Sequence, residues 1–194
     1  MLGVALAAAA GLALEVVLTR LFSVLLGHHH AVLAVSLGLF GAALGGVLVY
    51  VIPSIARPPR LFSSLAYLAG AASATTFGAL IFLMGMQHIK PEIGPSLGRL
   101  GLLYLVCGLP FGAIGAVLAA SLRHAPHHVG RVYAADLLGA ALGAIASVPL
   151  LELGAPRAAM VVSVVLAVAC VLFAVGSTQV KGCVSASERP AQPS

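Results

Sequence analysis

Apolar residues run along this chain in long blocks, and the residues that turn or interrupt a helix gather in the gaps between them. The blocks cover residues 3–26, 31–52, 62–86, 100–120, 132–152 and 157–177. Each is close to the roughly 20 residues an α-helix needs to cross bilayer hydrocarbon, so the pattern predicts six transmembrane helices over residues 1–177. The gaps are polar or turn-like: Gly27 with His28, His29 and His30, then Pro53 to Arg60, Gln87 to Arg99, Arg123 to Arg131, and Gly154 to Arg157. After Gly176 the pattern stops. Residues 178–194, rich in Ser, Pro, Gln and charge, read as a disordered cytoplasmic tail.

The string GAALG occurs twice, at Gly41 to Gly45 and at Gly139 to Gly143, ninety-eight positions apart. The two copies fall in the second and fifth spans, an odd number of crossings apart, so the second half inserts in the opposite sense to the first. This predicts a 3+3 inverted repeat with halves at about 1–86 and 100–177, a plan common among transporter-like membrane domains. The same offset places His29 and His30 over His127 and His128, and Ser23 over Ser121. Gly41 and Gly45, Gly108 and Gly112, and Gly139 and Gly143 each set small residues four apart, which lets helix backbones approach closely.

Composition agrees with the pattern. Hydrophobic residues make up 61% of the chain and charged residues 8%, with a mean hydropathy of +1.12, against about 25% charged in a soluble domain. The spans use up nearly all of the 194 residues and leave no room for a soluble enzyme domain. With the N-terminus inside, the inner segments hold Arg57, Arg60, Arg123, Arg131, Lys181 and Arg189, against Lys90, Arg99 and Arg157 outside, the latter offset by Glu92 and Glu152. That bias predicts both termini in the cytoplasm of a bacterial inner membrane. The net charge of +5 is then a topology signal with some lipid-headgroup contact, and nucleic-acid binding is not expected. Met1 to Gly11 lacks a basic n-region and runs on to Leu26, so it reads as a first span and not a cleaved signal.

Few residues are left to do chemistry. Glu15 and Arg20 lie in the first span, where a charge at mid-membrane costs about 2.5–3.5 kcal/mol on insertion scales. Thr19 shares a helix face with Glu15, and Arg20 shares the outer half of the membrane with Glu152, which makes an interhelical ion pair one reading and a substrate or proton site the other. Asp136, in the run with Arg131 and Tyr133, reads either as a helix-start acid favoured by the dipole or partnered by Arg131, or as a residue that binds a cationic ligand or docks a cytoplasmic domain. His28 to His30 fall on the opposite side from His124, His127 and His128, so the histidines do not make one metal site. Cys107, Cys170 and Cys183 form no disulfide framework. No cofactor is expected. An intramembrane enzyme using Ser23 or the histidines lacks any accompanying G-x-S-x-G or H-E-x-x-H motif.

The stretches EVVLTRLFSVLLG (Glu15 to Gly27) and GRVYAADLLGAALGAIASVPLLELGAPR (Gly130 to Arg157) resemble the membrane domain of bacterial spermidine synthase-like proteins. In that family a major-facilitator-like domain is fused to a cytoplasmic polyamine aminopropyltransferase. The resemblance spans nearly all six helices in order and implies a major-facilitator-like half with a cytoplasmic C-terminus. The transferase's Rossmann-like domain and Gly-rich loop have no counterpart here, so no catalytic residue is expected on this chain. The segment from Pro53 to Arg60 also lacks the acidic residue usual in the major-facilitator loop between the second and third helices. Two roles follow as expectations. One is a non-catalytic module that anchors or regulates a cytoplasmic aminopropyltransferase. The other is a small transporter or sensor for polyamines or other organic cations, which a homodimer would complete.

Overall fold

The computed structural model describes residues 1–25, 31–56, 61–86, 97–124 and 128–187. They form six helices in chain order: α1 (Leu2–Leu25), α2 (Ala31–Val51), α3 (Leu61–Met86), α4 (Leu97–His124), α5 (Val129–Glu152) and α6 (Ala155–Ser187), with a short 3₁₀ turn at Pro53–Ala56. There is no strand among the described residues. All six helices are long and apolar enough to cross a membrane, so the chain is an all-α, six-helix membrane protein. A helix satisfies its own backbone groups, which hydrocarbon cannot do. Large apolar side chains such as Phe40, Leu44, Leu142 and Ile145 stay exposed on the outer surface of the bundle.

The centre of the bundle belongs to α1 and α4. Half of the most apolar stretch of α1 and 44% of that of α4 are buried, against 17% for α5. Two apolar layers fill the interior. One gathers around Val17, Phe22, Leu103, Cys107 and Leu166, and the other, nearer the N-terminal side, around Ala7, Leu65, Val117 and Phe173.

Helix pairing obeys the inverted repeat. The most extensive pairings are α2 with α4, α1 with α5, and α3 with α6. Exchanging the two halves turns the first into the second and the third into itself. In both exchanged pairs the helices run parallel, and a GAALG glycine lies against a partner backbone carbonyl. Gly41 and Gly45 meet the carbonyls of Gly108 and Gly112, and Gly139 and Gly143 meet those of Ala5 and Ala9. Small residues at the seam are what close backbone approach requires.

These contacts also fix how the halves align. Ala5 corresponds to Gly108 and Ala9 to Gly112, a shift of 103 between α1 and α4, whereas α2 and α5 keep the shift of 98. The connection after α4 is therefore five residues shorter than the one after α1, and a single gapless offset does not hold. Ser23 does not correspond to Ser121; Arg20 corresponds to Arg123 instead. His28 to His30 and His127 lie outside the described residues.

Helix ends differ from the hydropathy reading. α4 runs on to His124, and α5 starts at Val129, three residues before its apolar block. α5 ends at Leu153 and Gly154, whose amides bond back to Leu150 and Leu151; Gly154 has φ 89°, the left-handed conformation that suits glycine. α6 continues through Ser187, because extending an existing helix costs little and the next proline is Pro190. Residues 188–194 of the expected tail lie outside the described residues.

Candidate functional site

Glu15 sits at the crevice where α1, α2 and α4 converge. A methyl group built on Gly38 of α2 would lie 3.4 Å from the Glu15 carboxylate and 3.5 Å from the Phe111 ring of α4. Gly38 therefore borders both the carboxylate and the ring, at ordinary van der Waals distance. α4 contains Pro110 beside Phe111. Pro110 has no amide hydrogen and so leaves one α4 carbonyl without its helical partner.

The Glu15 side chain is half-buried and makes no hydrogen bond or ion pair among the described residues. Thr19 does not serve it directly: its Oγ1 donates to the Glu15 backbone carbonyl at 2.7 Å, the usual bond of a helical threonine to the preceding turn. Arg20 is exposed at the far end of α1. The α1–α5 register carries Arg20 to about the level of Glu152, also exposed, but the two form no ion pair among the described residues.

Asp136 lies elsewhere. The contact of Gly139 with Ala5 puts it level with the start of α1, some thirteen residues from Glu15. At 1.5 Å rise per residue that is about 20 Å along the bundle, so one small ligand does not bridge the two acids. Because α5 begins at Val129, Asp136 lies beyond the first turn, where the dipole effect has faded; nor does it pair with Arg131 among the described residues. Arg131 and Tyr133 point outward and are exposed. No group of three potential metal ligands exists among the described residues.

Three relationships were not evident from residue type. Arg123 donates from Nη1 to the carbonyl of Val49 at 2.9 Å, tying the end of α4 to the last turn of α2. Ser73 and Ser163 bond across the α3–α6 seam, beside a hollow of about 440 Å³ that Cys170 also lines. A larger groove of about 760 Å³ lies over α4 between α2 and α3, apolar except for Thr75 and Tyr104, with Gly41, Gly45 and Gly108 in its wall. Gly38 had one signal in the sequence: under the GAALG offset it is the counterpart of Asp136.

Compared with models of protein families, with curated proteins and with solved structures, the chain matches none.

Proposed function

We propose that this integral membrane protein is a non-catalytic module that binds an organic ammonium cation at Glu15, as a small sensor or transporter. The observation behind this reading is the Glu15 carboxylate inside the α1–α2–α4 crevice, bordered by Phe111 and without a partner among the described residues. An ionisable side chain in a membrane span is costly enough that a functional role is the default expectation. A carboxylate beside an aromatic ring suits an ammonium, which gains from both charge and the ring quadrupole. The resemblance to spermidine synthase-like membrane domains points to polyamines as the natural members of this class.

The test is thermal stability of the purified chain in nanodiscs with spermidine, against sodium chloride at equal ionic strength. A ligand that binds only the folded state raises stability in proportion to its saturation. Spermidine raises the melting temperature of the wild type and leaves Glu15→Gln unchanged. Equal shifts in both proteins would remove the site.

A second reading is an anchor for a cytoplasmic aminopropyltransferase in a bacterial inner membrane. One observation favours it: α6 continues about nine residues beyond its apolar span, on the side of the bundle that holds the N-terminus. In this reading the positive-inside bias of the loops sets that side toward the cytoplasm, and the extension would serve as a stalk. Coexpression with a soluble aminopropyltransferase then brings the enzyme into the membrane fraction, and an enzyme that stays soluble counts against the anchor. Dimerisation through lipid-facing helices belongs to the transport reading and is checked by the mass of the nanodisc-embedded particle.

A further inference from the structure

α4 is the most enclosed helix after α1, yet two of its leucines face outward: Leu105 is 63% exposed and Leu109 51%. The gap above them exists because α2 and α3 each pack on α4 but scarcely on each other. It forms the apolar groove of about 760 Å³, walled by Leu44 and Leu48 of α2 and by Leu68 and Ala71 of α3, and no lining residue is charged. The α2 wall runs from Leu37 to Val51, about 21 Å at 1.5 Å per residue, against about 15 Å for one leaflet's share of the hydrocarbon. An acyl chain that enters from one membrane surface therefore lies within the groove along its length.

The groove ends at a cation. Arg123, exposed at the end of α4, donates from Nη1 to the Val49 carbonyl at 2.9 Å, between the lining residues Leu48 and Val51. It also follows the lining residue Ala116 by seven positions, nearly two full turns, and so lies on the same face of α4. The bond to Val49 uses one guanidinium N–H and holds the head in place. The other N–H groups have no acceptor among the described residues.

We infer that the groove takes an acyl chain of an anionic glycerophospholipid whose phosphate is bound by Arg123, so that a lipid stands where α2 and α3 fail to meet. Arginine binds phosphate through paired N–H groups, and the chain supplies the dispersion contacts that a packed α2–α3 seam would have made. A zwitterionic lipid offers the same hydrocarbon, but its ammonium offsets the charge of the phosphate. A second copy of the chain would also cover the groove, yet it gives no reason for an arginine held at the groove's end. The inference is independent of the cation reading, since neither Glu15 nor Gly38 lines the groove.

The test places the full chain in phosphatidylcholine nanodiscs with a trace of photoactivatable lipid. The probe is phosphatidylglycerol or phosphatidylcholine, each with a diazirine near the end of one acyl chain, and labelled peptides are identified by mass spectrometry. Phosphatidylglycerol labels α2 and α3 around Leu44 and Ala71 about fivefold more than phosphatidylcholine does, the usual preference conferred by one arginine at an anionic surface. Arg123→Ala brings the two lipids to equal labelling there, and Arg123→Lys keeps part of the preference. Ala71→Phe, at an exposed position that leaves the core untouched, fills the groove and lowers labelling by both lipids, while α5 around Leu142 is labelled as before. Equal labelling by the two lipids in the wild type, or a preference that survives both Arg123→Ala and Ala71→Phe, overturns the site. So does labelling spread evenly over all six helices. A groove that neither lipid labels, in a particle with the mass of two chains, overturns it in favour of a second copy.

Discussion

Ser73 and Ser163 donate to each other's backbone carbonyls, at 2.9 Å and 3.1 Å, where α3 crosses α6. A reciprocal pair of this kind is what an inverted repeat produces where its two copies of one helix meet, since each serine occupies the other's place. Hydrocarbon offers no competing water, so the bonds hold the seam without a charged group.

Polar contacts between membrane helices are individually modest. A double-mutant cycle with Ser73→Ala and Ser163→Ala, read by steric trapping or denaturant unfolding in bilayers, yields a coupling of about 0.6 kcal/mol. Each single substitution breaks the side-chain contact and one of the two bonds, so the two single costs add up to more than the double by this coupling.

The GAALG glycines make a sharper prediction. A methyl group at Gly45 would lie 2.6 Å from the Ala116 nitrogen, and one at Gly143 would lie 2.7 Å from the Ala9 Cα, with only backbone to give way. Gly45→Ala and Gly143→Ala each destabilise by about 1–3 kcal/mol, the usual range for overpacking. Gly46→Ala and Gly78→Ala, with nothing within 4 Å, leave stability unchanged or raise it by up to ~1 kcal/mol through helix propensity. Melting temperatures of the four variants settle the ranking.

Arg123 is the counterpart of Arg20, and of the two it is Arg123 that closes a bond, to the Val49 carbonyl in the last turn of α2. Those final carbonyls have no partner within their own helix. Arg123→Ala costs about 1 kcal/mol, below the usual range for a charged donor because the side chain is exposed. Arg123→Lys keeps the charge and recovers part of that loss, whereas Arg20→Ala leaves stability within about 0.5 kcal/mol, the usual range for an exposed position. Unfolding measurements on the three variants test the difference.

The spans and the repeat were readable because the bilayer imposes length and apolarity on every crossing, and because the closest backbone approaches demand glycine at fixed intervals. Helix ends were less so: α5 starts at Val129 and α6 runs to Ser187, since helices extend into polar residues that hydropathy does not count. The correspondence of Ser23 with Ser121 misled because one connection is five residues shorter than the other. Glu15 stood out as a charge in a span, yet its neighbours did not. Gly38 and Phe111 come from two other helices, and only tertiary packing shows that they share one crevice.

The most direct test of the cation site is equilibrium binding of radiolabelled spermidine to the nanodisc-embedded chain, in the wild type, Glu15→Gln, Gly38→Val and Asp136→Asn. The account predicts saturable binding that is lost in Glu15→Gln, weakened in Gly38→Val, where the added side chain fills the crevice, and retained in Asp136→Asn, about 20 Å away by helix rise. Binding that does not saturate, or that survives Glu15→Gln intact, would contradict it.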